Sequence, residues 1–526
     1  MPSLKEDIHG TRCAGEIAAA PNTACGVGVA YRAKIAGERI LSGDVTDAIE
    51  ASALSFAWDK NHIYSNSWGP WDNGGTVEGP GALCKKAFED GTQKGRGGLG
   101  SIFVFASGNG GSGDNCNFDG YTNSIYTLSV GSIDRHNKMP GYQEPCSAQL
   151  AVTYSSNGID FIVRLSFSSF FFFLNLNFSS SSFFFLQHTT DAKGRCTGRH
   201  GGSSAAAPLA AGILALVLSV RPDLTWRDVQ GLVAHTAVPF NSNDDSWQPT
   251  GAGLAFSHKF GFGKIDAYRT VETAKTWELL GPQVVVTAPV RTVTGGTFSV
   301  TRLRLNTDVN EDLLARAFEA TPFPETEMEE TAEQRSHVTE HGAGAKTQPR
   351  HFRVQHVTVT VDITHTRRGD ILVWLISPSG TVAVLATERP RDASKDGLKN
   401  WTFMTVACWG ESALGEWILE VAHTRNSKGS GEILQWSLTL YGEGSSTPFP
   451  TIQPSSSFTL PPRVSDDLDF IAYEGSETTE ILNLRGRRSE AVLMGTMLGI
   501  GTLFMTIFWA MVMRHIRNQS PSPQRK

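Results

Sequence analysis

The N-terminal half of the chain alternates short apolar runs with longer stretches of small or amphipathic residues. Val27–Tyr31, Arg39–Leu41, Ile63–Ser67 and Ser101–Ala106 read as buried strands, with Val45–Phe56 and 80–95 as helices between them. This βαβ rhythm predicts a parallel sheet covered by helices. A further apolar run, LAAGILALVLSV, follows His200-Gly201-Gly202-Ser203-Ser204-Ala205-Ala206-Ala207-Pro208 and reads as a buried helix. Ser204 therefore stands at a helix mouth, where backbone N–H groups point outward and the dipole favours negative charge. That place suits a nucleophile whose transition state carries an oxyanion; it equally suits a Gly/Ser turn that only caps a core helix. His9 opens an Ala-rich helix. Trp68–Gly74 and Ser107–Gly111 each follow a strand, so they are expected on one rim of the sheet, where open α/β sheets bind ligands.

Beyond Phe298 the alternation is less regular. Residues 308–350 turn acidic and then Gly/Gln/His-rich, which predicts a surface loop or disorder. Residues 443–490 are Ser/Pro-rich and then acidic, as a stalk would be. Residues 491–513 run for 23 positions without a charge, long enough to cross a bilayer, with 514–526 as a short cytosolic tail. Arg485, Arg487 and Arg488 precede this run and Arg514, Arg517 and Lys526 follow it, so charge asymmetry orients it only weakly. Ile159–Gln187 breaks the pattern with ten Phe and seven Ser. Pyrimidine-rich codons closing in CAG, read as Gln187, would encode such a segment, so it reads as a translated intron. Arg164, Asn175 and Asn177 argue against a second membrane span there.

A length of 526 residues allows two or three domains, and a composition 40% hydrophobic and 19% charged is ordinary for a globular protein. The net charge of −6 gives no reason to expect a nucleic-acid partner. Seven cysteines show no zinc-type spacing, and their odd number leaves at least one thiol unpaired. MPSLKEDIHG lacks the apolar core of a signal peptide, so an anchored ectodomain is expected to have a further part upstream.

HGTRCAGE, SWGP, FVFASGNGG, DGYTNSIYTLSVGS and GGSSAAAPLAAG, in this order, resemble the kexin/furin proprotein convertases, a branch of the subtilisin-like serine proteases. The likeness runs from about His9 to Ala274, stopping at about Gly158 and resuming at His188. It returns over about Phe352–Gly442, where VTVTVDITHTRRGDILVWLISPSGT and LQWSLTLYG resemble the family's P domain. The resemblance implies an α/β catalytic domain over 1–276, with a subtilisin-like parallel sheet flanked by helices and 159–187 foreign to it. An all-β jelly-roll sandwich, the P domain, would follow over 277–442, then the stalk and one transmembrane helix.

On that resemblance Ser204 is the nucleophile, His9 its general base and Asn109 a side-chain oxyanion donor. The order His before Ser fits subtilisin-type chain order. Ser203 stands where relatives have Thr. Asp72 and Asp119 would line the first basic subsite, and Glu50, Glu78 and Tyr121 the outer one, with Glu at 78 where relatives usually have Asp. Asp72, Asp114 and Glu144 would hold a calcium ion through hard oxygen ligands. Cys25 would pair with Cys196 and Cys116 with Cys146; Cys13 would be a free thiol near the histidine, and Cys84 and Cys408 free buried thiols.

The aspartate that orients the family's histidine lies some tens of residues upstream, and only eight residues precede His9 here. Glu6 and Asp7 are too close along the backbone. Losing the orienting acid costs on the order of 10⁴ in kcat, so the chain as written is expected to fold poorly and to show no useful activity. The implied function is calcium-dependent cleavage of proproteins after paired basic residues. The implied setting is a single-pass type I protein of the Golgi, trans-Golgi network or endosomes, with its own prodomain as a second partner. The alternative is a pseudoprotease that binds basic segments without cutting them. Asn400-Trp401-Thr402 is a glycosylation sequon. Arg485-Gly486-Arg487-Arg488 fits either self-shedding of the ectodomain or plain juxtamembrane charge.

Overall fold

A computed structural model describes residues 8–157, 189–321, 351–425 and 427–445. The candidate stalk beyond 445, the membrane span and tail, and the segment 159–187 lie outside them; residues 443–445, read as the start of the stalk, instead end a strand of the C-terminal part.

The centre of the N-terminal part is a parallel sheet of β1 (Ile63–Asn66), β2 (Ile102–Ala106), β3 (Thr127–Ile133) and β4 (Ala151–Tyr154), in that spatial order. Every residue of β2 and β3 is buried, as parallel strands covered on both faces require. Around it lie α1 (His9–Ala18), α2 (Asp47–Leu54), α3 (Ala82–Lys94), α4 (Ser203–Val220), α5 (Trp226–Thr236) and α6 (Ala267–Ala274). Helix α4 is apolar and long enough to cross a membrane, yet it is the core helix: Ala206, Ala207, Ala210 and Leu214 are fully buried. Its small residues allow close approach, and a Cβ on Gly212 would come within 2.7 Å of Val29. Helix α5 starts at a capping box in which Thr225 and Asp228 satisfy each other's backbone N–H. Two short hairpins, β5 (Thr189–Asp191) with β6 (Arg195–Thr197) and β7 (Trp247–Pro249) with β8 (Ala255–Ser257), complete this part.

Val27–Tyr31 and Arg39–Leu41 are loops, which corrects their reading as buried strands. Val27, Tyr31 and Leu41 are 52%, 44% and 57% exposed. An apolar run becomes a strand only when a neighbour completes its ladder, and no strand among the described residues pairs with either.

The C-terminal part is built of two antiparallel sheets. Its strands are β9 (Gln283–Thr287), β10 (Arg291–Thr292), β11 (Thr297–Phe298), β12 (Leu303–Val309), β13 (His351–His365), β14 (Ile371–Ile376), β15 (Val382–Ala386), β16 (Leu398–Thr405), β17 (Gly415–His423) and β18 (Gly431–Ser445). One sheet runs β10-β18-β13-β16, with β9 and β11 also on β18; the other runs β12-β17-β14-β15. Strand β14 alternates buried and half-buried residues, the period of two that a sheet with one face inward imposes. The expected loop at 308–350 is corrected over its first part: β12 extends to Val309 and helix α7 spans Glu311–Ala320. The Asn310 side chain caps α7 by accepting from Leu313 N at 3.0 Å. Glu311 and Asp312 sit in its first turn, where the dipole favours acids, and Leu314 and Phe318 are buried. Residues 322–350 lie outside the described ones.

The two parts share a core. The His356 ring lies 6.4 Å from that of Trp226 and 5.1 Å from that of Trp409, and Arg227 Nε donates to Gln355 Oε1 at 2.9 Å.

Candidate active site

The turn before α4 is set by glycine. Gly202 has φ +78, and a Cβ there would come within 2.8 Å of Asn109 Oδ1. That oxygen accepts from Ser203 N at 2.8 Å and from Ser203 Oγ at 3.2 Å, fastening the end of β2 to the mouth of α4. Ser155 Oγ donates to Gly202 O at 2.7 Å from the far side. Pro208 has no N–H to offer the carbonyl four residues back, which is that of Ser204. Ser67 Oγ, at the end of β1, donates to that carbonyl at 3.1 Å, and the Cys13 thiol of α1 donates to it at 3.5 Å. The break in the helix ladder thus ties Ser204 to the two elements beside it.

His9 is the first residue of α1 and is exposed. Cys13, one turn on, places Sγ 4.0 Å from His9 Nδ1 and 3.5 Å from His200 Nε2. His200 stands edge-on to His9 with ring centroids 5.5 Å apart. Although the residue is exposed, neighbours strip water from part of the ring, and this and then Arg12 hold the His9 pKa below its usual value. Burial, then His9 and Arg12, bring His200 down to about 4. A general base must be neutral to accept a proton, and these shifts favour that form at pH 7. Burial and then Glu16 push Cys13 up to about 12, so it stays a thiol. Among the described residues no carboxylate is hydrogen-bonded to His9. The buried Glu16 carboxylate lies 3.8 Å from His200 Nε2 instead. Thr189 and Thr190 of β5 donate their hydroxyls to the carbonyls of Arg12 and Thr11 at 2.6 and 2.8 Å, and Asp191 pairs with Arg12 at 3.2 Å.

The two loops expected on one rim do meet: Asn109 N donates to Asp72 Oδ2 at 2.8 Å. Asp119 Oδ1 accepts from Tyr121 N at 2.7 Å, and the Tyr121 hydroxyl donates to Glu50 Oε2 at 2.7 Å. Glu78 runs beside Asp119, with Gly120 N donating to Glu78 O at 2.9 Å. The five residues Glu50, Asp72, Glu78, Asp119 and Tyr121 therefore form one acidic side. Burial, with Asp72 and Asp114 adding to it, raises Asp119 to about 7. Burial, then Asp47 and Glu78, raises Glu50 although the Tyr121 hydrogen bond opposes the shift. Carboxylates held this way lack a counter-charge.

Asp114 and Glu144 each stand two residues before a half-cystine, and the structure pairs Cys116 with Cys146. Asp114 Oδ2 accepts from Gly74 N, and Glu144 Oε1 from Gly110 N, both at 2.7 Å. A Cβ on Gly110 would lie 2.9 Å from Asp114 Oδ2 and 3.0 Å from Glu144 Oε1, so only glycine lets both carboxylates close over that backbone. Burial, then Asp114 and Asp72, raises Glu144 well above the carboxylate range. Among the described residues no three His, Cys, Asp or Glu side chains are gathered tightly enough to enclose an ion. The crowding of charge and the open geometry differ here for a visible reason. Asp72 is turned to Asn109, and Asp114 Oδ1 accepts from Arg389 at 3.0 Å. A second disulfide joins Cys25 to Cys196, while Cys13, Cys84 and Cys408 are free and buried.

Sequence reasoning missed Ser67, the Glu16–His200 pair, and Arg368 and Arg389 of the C-terminal part, which reach the acidic loop across some 300 positions of chain. Pro208 was a signal for the first of these; nothing local marks the arginines.

Residues 2–263 match a profile described as the subtilase family, and residues 354–440 one described as the proprotein convertase P-domain. The chain belongs to the subtilase family. This subtilase is 43% identical to the dibasic-processing endoprotease of Schizosaccharomyces pombe, covering 84% of this chain and 56% of that one. It is 44% identical to kexin of Saccharomyces cerevisiae (84% and 48%) and 43% identical to human proprotein convertase subtilisin/kexin type 5 (83% and 21%). The chain spans about half the length of the first two relatives. Its fold is that of the crystal structure of a serine protease of Aeromonas sobria, with a TM-score of 0.66 at 20% identity over 84% of this chain and 82% of that one.

Proposed function

We propose that this subtilase is a serine endoprotease that cuts proproteins after paired basic residues. One observation supports the reading: Asp72, Asn109, Ser203 and the helix mouth bearing Ser204 form a single hydrogen-bonded series, so an acid lies beside the candidate nucleophile. In this reading Ser204 attacks the carbonyl, His9 takes its proton and returns it to the leaving amine, and Asn109 Nδ2 and the N–H groups at the start of α4 meet the oxyanion. Asp72 and Asp119 receive the basic side chain next to the cut, and Glu50, Glu78 and Tyr121 the one further out. The relative named a dibasic-processing endoprotease supports the substrate class.

Calcium is the proposed cofactor, supported by the chemistry of the donors rather than by their spacing. Asp114, Glu144 and Asp72 are hard oxygen donors whose mutual repulsion a divalent cation would relieve. When bound it would supply fixed positive charge that holds loops 72–76 and 108–114 together. The 23 uncharged residues at 491–513 support a single-pass membrane anchor, and two disulfides support an oxidising, secretory setting such as the Golgi, trans-Golgi network or endosomes. Asn400 is exposed and open to glycosylation in that setting. A prodomain of its own is a further proposed partner.

The test is hydrolysis of two fluorogenic peptides, one with Arg-Arg and one with Ala-Ala before the reporter. Release from the Arg-Arg peptide alone, lost in Ser204→Ala, is expected. Equal release from both, or release that survives Ser204→Ala, would overturn the reading.

A further inference from the structure

We propose that Arg389, on the loop after β15 of the P domain, is a positioning residue for the acidic side of the cleft. It holds loop 72–76, and with it the Asp72 carboxylate, in the geometry that receives a basic side chain. The specificity arm of this proposal rests on the protease reading above.

The Arg389 side chain is only 1% exposed, although it comes from a different domain than the cleft it enters. Nε donates to Asp114 Oδ1 at 3.0 Å, Nη1 to Asp392 Oδ2 at 2.9 Å and Nη2 to the carbonyl of Thr76. The guanidinium lies 4.2 Å from the centre of the Phe118 ring, a cation–π contact that is strong when dry. Arg368 lies alongside: its Nη2 donates to Gly75 O at 2.7 Å, and its Nε to the same Asp392 at 2.7 Å. Asp114 takes Gly74 N on its other oxygen at 2.7 Å.

Gly74, Gly75 and Thr76 are therefore gripped in succession by Asp114, Arg368 and Arg389, and Arg389 also holds Asp114. Two residues earlier, Asp72 accepts from Asn109 N, so a shift of the loop moves the subsite acid and the candidate oxyanion donor together. Elsewhere the two domains meet through scattered bonds, such as Met404 N to Asn117 Oδ1 and Gly251 N to Glu411 Oε1, whereas those of Arg368 and Arg389 converge on one loop. A buried guanidinium needs its charge and donors met, and this one has two carboxylates, a carbonyl and an aromatic face. Lysine keeps the charge but offers no planar fork to span three acceptors.

The experiment uses the whole chain with Ser204→Ala, and in that background Arg389→Met, Arg389→Lys and, as a control, Lys395→Met at an exposed neighbouring position. Amide hydrogen exchange follows the segment 72–78 against β2 and β3, and fluorescence titration follows an Arg-Arg and an Ala-Ala peptide. In Arg389→Met, exchange over 72–78 is expected to rise at least about tenfold while β2 and β3 keep their protection. Affinity for the Arg-Arg peptide is expected to fall about tenfold or more, with the Ala-Ala peptide unmoved. Arg389→Lys should fall between, and Lys395→Met should match its parent. Unchanged exchange over 72–78, or loss that runs in step with β2 and β3, overturns the proposal. If the loop loosens in Arg389→Met but the parent binds neither peptide, the brace stands and the protease reading falls.

Discussion

Replacing Asn109 by Ala tests the oxyanion side of the site. Two costs are expected. In the proposed mechanism the amide nitrogen is lost as a donor to the developing charge, and one such donor is worth about 10²–10³ in kcat, or about 2.7–4 kcal/mol. The amide oxygen is lost as acceptor for Ser203 N at 2.8 Å. That orphans an N–H at the start of α4, worth about 1–3 kcal/mol of stability if no water reaches it. The first cost belongs to the transition state and should appear in kcat with KM nearly unchanged. The second belongs to the fold and should appear as a melting temperature lower by a few degrees. His9 Nδ1 faces the Cys13 thiol at 4.0 Å. The assay is single-turnover hydrolysis of the Arg-Arg peptide with enzyme in excess, beside thermal melts of both proteins and a Ser204→Ala blank. A loss smaller than about threefold in kcat, or a loss carried by KM, would refute the placing of the Asn109 amide at the oxyanion.

Three further outcomes follow. His200, His258 and His356 are held down to about 4, 4 and 3, in each case chiefly by burial, so the unfolded chain binds protons that the folded chain refuses. The histidines' contribution to stability should be full above pH 6.5 and fall as pH drops toward 4, by about 3 kcal/mol for the fully buried His356 alone; His356→Phe should flatten that part of the slope in pH-dependent melts. Calcium at a hundred times its Kd should stabilise the protein by about 2.7 kcal/mol, and Glu144→Gln should remove most of that shift in calorimetry with and without chelator. Phe318→Ala, which empties a site 4% exposed against Phe352, should cost about 3–5 kcal/mol in denaturant unfolding; a smaller effect would mean α7 is not anchored on the sandwich.

The parts of the fold visible in the sequence were those whose cause is local. The five buried residues of β2 and the small-residue run of α4 carry their own burial signal. The apolar runs at 27–31 and 39–41 carried the same signal and formed no strand, because pairing depends on a neighbour that composition does not show. The first turn of α7 was misread because its acids suggested solvent, although Asn310 and the spacing of Leu314 and Phe318 mark a capped amphipathic helix. At the site, the glycines and the serine could be read because turn geometry demands them. The Arg389 brace could not: Asp114 and Arg389 stand 275 positions apart, and only the packing of the two domains brings them together.

The central claim is that Ser204 cuts after basic residues received by the acidic loop. Its most direct test is mass-spectrometric mapping of a protein substrate with one exposed Lys-Arg pair, incubated at length with excess enzyme. A single new terminus after the Arg of that pair is expected, absent with Ser204→Ala and suppressed with Asp72→Asn. Cleavage elsewhere, or a terminus that persists in Ser204→Ala, would contradict it.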